Sequence, residues 1–217
     1  LVISCLDISL SILSVFYNMD FKQRIFEVLA ALIIVVRRFL LLILVPYKTM
    51  RRICNETDMM QVYIIFTSIF VYFHAANRFR EYEYEPIILF LMTVVHFVIT
   101  VLFFFMMSGF LQKKQPVEIK PLVSTLAYTL LPTIIWFSTS SILYALLPPP
   151  RNINLLGMAF SMLYISFSIT LLIWKIILLY LALRFSTQLA FYRIIYMIML
   201  YLLLAIPYSL VLYAFDY

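Results

Sequence analysis

Glycine is almost missing from this chain: only Gly109 and Gly157 occur among 217 residues, where roughly 7% is usual. That excludes a glycine-rich loop for cradling phosphate and leaves no Gly-xxx-Gly pair for close helix crossings. It also argues against a self-sufficient carrier, because transporters draw on glycine and small residues for broken helices. Charge is scarce as well, at 12% of residues, about half of what a soluble domain carries. The two cysteines, Cys5 and Cys54, stand far apart without metal-ligand spacing, so neither a disulfide framework nor a zinc site is expected. No Ser-His-Asp set or paired-carboxylate motif is present, and neither catalysis nor a cofactor is expected.

What fills the chain instead is apolar: 65% of residues are hydrophobic. Five stretches, 59–77, 86–111, 122–147, 154–181 and 192–215, are bounded by charge or proline. Each approaches or exceeds the ~20 apolar residues that cross about 30 Å of hydrocarbon as a helix. Lipid offers backbone groups no hydrogen-bond partner, so the segments must be helices. The ~10-residue alternating strands of a barrel are excluded. The expected fold is all-α: a polytopic membrane helical bundle of five transmembrane helices, preceded by interfacial or partly inserted N-terminal helices. Residues 1–58 form the N-terminal part and 59–217 the membrane domain.

Lys and Arg near span ends stay on the cytoplasmic side. Thirteen of them fall on one side of the expected topology and three, Arg78, Arg80 and Arg151, on the other. Residues 18–58 are therefore expected in the cytoplasm and Tyr217 outside. The net charge of +6 follows from topology and attraction to anionic headgroups, and no nucleic acid is needed. Residues 1–17 are apolar but carry Asp7, with no basic n-region or small-residue cleavage site, so a signal peptide is not expected. The stretch 25–47 is apolar except for Glu27 and the pair Arg37 and Arg38. A central Arg costs about 2.5 to 3.5 kcal/mol on insertion scales. An interfacial helix whose Arg heads reach phosphate is therefore expected, ahead of an Arg-bearing span packed inside protein. Arg37, Arg38, Lys48, Arg51, Arg52, Lys113 and Lys114 are the expected membrane-surface cations.

His74 and His96 lie on consecutive spans, at depths that differ by roughly 10 Å, so one iron does not join them. Packed or hydrogen-bonded histidines are expected. Lys175 and Arg193 are read as anchors that reach the cytoplasmic end, and the turn of residues 80–85, Arg-Glu-Tyr-Glu-Tyr-Glu, as solvated. One hydroxyl cluster, Ser138, Thr139, Ser140 and Ser141 with Ser161, Ser166 and Ser168, is available near midplane. Hydroxyls in lipid often bond their own helix carbonyls.

Residues 46 to 217 resemble the Yip family, five-span membrane proteins named for interaction with Ypt/Rab GTPases. Pro-Tyr-Lys-Thr-Met-Arg-Arg-Ile (46–53) is similar to the lead-in of the bacterial branch. Met-Ser-Gly-Phe-Leu-Gln-Lys-Lys (107–114) is similar to the glycine-bearing exit of the second span. Ala-Tyr-Thr-Leu-Leu-Pro (127–132) resembles the Ala-Tyr-Ser-x-x-Pro signature early in the third, and a Ser-containing turn at Ser186 precedes the last helix. The Asp-Leu-Tyr-Gly-Pro motif and third-span glycines of eukaryotic trafficking members are absent. The resemblance implies a bacterial inner-membrane protein acting as an accessory subunit, some relatives being associated with ABC-type export machinery.

Mechanically, Pro132 is expected to kink the third span, free the carbonyl near Tyr128 and open a groove for a partner helix. Tyr128 and Pro132 are the expected partner contacts, with Gly109 as a turn residue. The expected function is a non-catalytic accessory or scaffold subunit of a hetero-oligomeric complex, bound to lipids and other integral membrane proteins. A small permease-like subunit that uses the hydroxyl cluster is the alternative, and a membrane subunit of a bioenergetic complex the next.

Overall fold

The computed structural model describes residues 21–78, 85–111, 118–146 and 155–215. Among them all regular structure is helical: α1 (Phe21–Leu44), α2 (Pro46–Glu56), α3 (Met59–Ala76), α4 (Pro86–Leu111), α5 (Ile119–Tyr128), α6 (Leu131–Leu146), α7 (Leu155–Thr187) and α8 (Phe191–Phe215). Four stretches are long and apolar enough to cross a membrane: Met59–Ala76, Pro86–Leu111, Ile119–Leu143 and Ala159–Thr187. The chain is an integral membrane protein. Helix α8 covers the expected fifth apolar stretch.

The third span consists of two helices, α5 and α6. Pro132 is the second residue of α6 and has no N–H to offer the Tyr128 carbonyl. Ahead of it the backbone tightens, with Thr129 N–H on Leu126 O at 3.0 Å and Leu130 N–H on Ala127 O at 3.1 Å. The α ladder resumes with Ile134 N–H on Leu130 O at 2.9 Å.

The fourth helix runs on past residue 181, because Arg184, Ser186 and Thr187 continue it. Ser186 Oγ donates to Ala182 O and Thr187 Oγ1 to Leu183 O, at 2.7 and 2.6 Å. The turn expected at Ser186 comes after it, where Gln188 adopts a left-handed φ of 54°. Gly109 likewise lies in the last turn of α4, not in a turn. A Cβ there would meet nothing within 4 Å, so its lack of a side chain serves neither a turn nor a close approach.

Helix α3 is central, packed by α1, α4, α5 and α6, while α7 packs against α2, α5, α6 and α8. One hydrophobic core joins them, including Leu42, Met50, Ile65, Phe104, Leu122, Tyr128, Leu178, Leu183, Ile194 and Met197. At the start of α8, Arg193 donates to Leu111 O at 2.7 Å, satisfying an end carbonyl of α4. Helix α1 buries Ala31, Val35, Arg38 and Leu42, residues three or four apart that form one stripe along it. Helix α2 begins with Pro46, whose missing N–H is harmless in a first turn. It turns Thr49, Met50 and Ile53 inward and leaves Lys48, Arg51 and Arg52 exposed. The end of the bundle that carries α2 is its basic end.

Candidate functional site

Three polar features stand out from this apolar frame. The first is a buried network at the basic end. Arg38 is only 6% exposed, and donates to Glu56 of α2 and to Gln61 Oε1 of α3. Tyr128, fully buried on α5, donates to the same Gln61 oxygen at 2.6 Å. The Gln61 amide donates to Asp58 Oδ2 at 3.0 Å, and Asp58 Oδ1 caps α3 by accepting from Met60 N–H at 3.0 Å. Arg52 completes the set on Glu56 Oε1 at 2.6 Å. One guanidinium thus joins α1 to both α2 and α3, and Gln61 relays the join to α5.

Arg38, expected among the surface cations, is instead buried, and its fork of donors finds a carboxylate and an amide oxygen inside the protein. Arg37, one residue away on the helix, is exposed, as are Lys48, Arg51 and Arg52. Lys113 and Lys114 lie outside the described residues, as do 80–84 of the outer turn.

Tyr128 is held on two sides, since its ring also meets Phe39 edge-on with centroids 5.5 Å apart. Tyr128→Phe is expected to cost about 1 kcal/mol, the worth of one hydrogen bond. Tyr128→Ala is expected to cost about 3–5 kcal/mol through the cavity it leaves. Thermal unfolding of the purified protein in detergent checks the ratio. Thr57, between α2 and α3, holds a left-handed φ of 38°, uncommon for a β-branched residue. Thr57→Gly is expected to raise stability by about 1 kcal/mol in the same measurement, strain relief exceeding the entropy that glycine loses.

The second feature is hydroxyl contacts around α6. Tyr72 of α3 donates to Phe137 O at 2.8 Å and shares a 2.7 Å hydrogen bond with Ser141. On the α7 side, Ser140 meets Tyr164 OH at 2.5 Å and Trp136 Nε1 donates to Ser168 at 3.1 Å. Of the expected hydroxyls, Ser141 faces α3, Ser140 faces α7, and Ser168 meets α6 from α7, so these three knit the helices. The histidines are placed apart: His74 is exposed and stacks on Phe70, while His96 lies 3.3 Å from Tyr201 OH of α8.

Lys175 belongs with this middle layer. Its Nζ donates to Thr133 Oγ1 at 2.9 Å, and both residues sit within two positions of the middle of their spans. Its head is thus spent inside the bundle and does not reach an end. Beside Pro132 lies a groove of about 200 Å³, lined by Pro132, Thr133, Trp136, Ser168, Leu172 and Lys175. Trp136 and Leu172 are exposed, so the groove opens on the flank of the bundle. The four spans contain no Asp or Glu, and Lys175 makes no ion pair among the described residues.

The third feature is a cavity of about 470 Å³ at the basic end, lined by Tyr47, Arg51, Cys54, Asn55, Arg184, Phe185 and Gln188. The rings of Tyr47 and Phe185 meet edge-on with centroids 5.0 Å apart. Burial pushes the Cys54 thiol up from its ordinary value, and Glu118 adds to the shift. Arg184, in the last turn of α7, helps to form this cavity.

Among the described residues, fold and site together define an all-helical integral membrane protein whose third span is made of two helices. Comparison with known proteins, as family models, curated proteins or solved structures, gives no match. The resemblance to the Yip family therefore rests on the sequence segments alone.

Proposed function

We propose that this chain is a non-catalytic accessory subunit of a membrane complex, and that the groove beside Pro132 seats a transmembrane helix of another protein through Lys175. The observation that carries this reading is a mid-span lysine amine without an acidic partner in the four spans, opening on the flank of the bundle. Ionisable groups at membrane depth pair with one another or line a path. Here one hydroxyl satisfies a single proton of the three that an ammonium can donate. A partner helix carrying Asp or Glu at mid-depth fits both the charge and the groove.

The break between α5 and α6 supports the same reading. Pro132 leaves the Tyr128 carbonyl without its helical donor, and the groove lies beside it. In this proposal α8 is the fifth span, α1 is partly inserted along α3, and the basic end faces the cytoplasm of a bacterial inner membrane. That assignment follows the Lys and Arg asymmetry, and the Yip-like segments agree with it.

The test is purification from the native membrane in mild detergent, with stoichiometric companions identified. A constant integral membrane partner is expected, retained by Lys48→Gln and lost with Lys175→Met. A chain that runs alone, or a partner that survives Lys175→Met, overturns the reading. Transport by the hydroxyl layer between α3, α6 and α7 then becomes the function to measure.

A further inference from the structure

The cavity at the basic end is separate from the groove. It is built from the exposed edge of α2 and from the end of α7 where the chain turns at Gln188. Of the basic side chains near it, Arg52 is engaged by Glu56, and Arg184 spends one guanidinium nitrogen on Leu189 O at 2.5 Å. Arg51 has no ion pair among the described residues. The lining offers two guanidinium groups, two side-chain amides and a phenol, and no carboxylate. Glu118 acts on it through its field on Cys54. The raised thiol keeps Cys54 neutral, so the cavity has no anion of its own. Its volume falls in the ~300–1,000 Å³ range of ligand sites. Arg184 is three residues from the end of the Ala159–Thr187 span, which puts the cavity at headgroup level.

We propose that this cavity binds a phosphate group, with the guanidinium groups of Arg51 and Arg184 as its clamp and the Asn55 and Gln188 amides as further donors. Guanidinium forks match phosphate oxygens bidentately, and pairs of this kind are among the strong charge-assisted hydrogen bonds. The phosphate source at this depth is an anionic lipid headgroup or a soluble phosphate compound. A lipid's acyl chains would lie along the exposed Ile173 and Ile177 of α7.

The full chain, purified and placed in nanodiscs of phosphatidylcholine with or without phosphatidic acid, decides between these. Bound lipid is counted by native mass spectrometry. In a Cys5→Ser background, Cys54 is the sole thiol, and its maleimide labelling reports occupancy of the cavity. Phosphatidic acid is expected to be retained at one per chain and to slow Cys54 labelling. Arg51→Gln and Arg184→Gln each weaken retention about tenfold, while Lys48→Gln, which removes the same charge outside the cavity, leaves it unchanged. Arg51 makes no ion pair, so Arg51→Gln tests the clamp even if Arg184→Gln fails to fold. Slower labelling with inorganic phosphate alone, equally sensitive to Arg51→Gln, supports the same site with a soluble source. Equal effects of Lys48→Gln and Arg51→Gln, or labelling unaffected by either probe, overturn the proposal and leave diffuse surface attraction only.

Discussion

Arg38→Ala is expected to be the most damaging removal of a charge at the basic end, lowering stability by about 3 kcal/mol. Removing one member of a fully buried pair costs roughly 3–5 kcal/mol, because the other charge is stranded. Here the Glu56 side chain is 40% exposed, so water recovers part of that penalty. The Gln61 oxygen keeps Tyr128 as a donor, which spares a second loss. On the scale of a chain this size, the unfolding midpoint in detergent should fall by roughly 6–12 °C. The effect should be local first: α1 holds to α3 by a stripe in which Arg38 is the polar member among the described residues, so amide exchange is expected to rise along 28–44 before the spans respond. Arg38→Lys should recover less than half, since a point-like ammonium does not serve Glu56 and Gln61 together as a planar fork does. Arg38→Met paired with Glu56→Gln should come close to the parent, as apolar replacement of both partners usually does. A loss of Arg38→Ala below about 1 kcal/mol would mean that the network does not anchor α1.

Four of the five expected spans were legible because the bilayer imposes a length and a polarity on each of them, and both are properties of a continuous segment. The interruption of the third span was legible for a similar reason: Pro132 acts on the carbonyl four residues before it, whatever surrounds it. Arg38 was not legible. An arginine in an apolar helix reads as one that reaches for the membrane surface, and its true partners lie 18 and 23 residues away on two other helices. Two local signals pointed the right way. Ala31, Val35, Arg38 and Leu42 share a helical face, and Asp58 with Gln61 has the spacing of a helix-start box ahead of an apolar run. Neither names a partner, because pairing across helices depends on register that periodicity within one helix does not contain. The reach of the fourth span past residue 181 was not legible either, because an apolar run sets where a span is read to end while nothing in residues 182–187 forbids helix.

Lys175→Met is expected to stabilise the isolated chain and to weaken its complex, and the opposition of the two effects is the point of the experiment. A lysine at the centre of a span costs about 2.5–3.5 kcal/mol on insertion scales, and the Thr133 hydrogen bond returns about 1 kcal/mol of that. Methionine keeps the length and flexibility of the stem, so the groove keeps its filling. The isolated protein should therefore gain about 1–2 kcal/mol, seen as a midpoint higher by roughly 3–6 °C. Thr133→Val separates the terms. It should cost about 1 kcal/mol in the parent, where it strips Lys175 of its acceptor, and almost nothing in Lys175→Met, a coupling that a double-mutant cycle reads directly. In the complex the sign reverses, because Lys175 then meets a carboxylate at low dielectric and its removal strands that acid. A chain that loses stability with Lys175→Met both alone and in its complex would place the lysine among the structural bonds of α6 and α7. One that gains alone and loses its partner holds a charge at mid-membrane that only another protein satisfies.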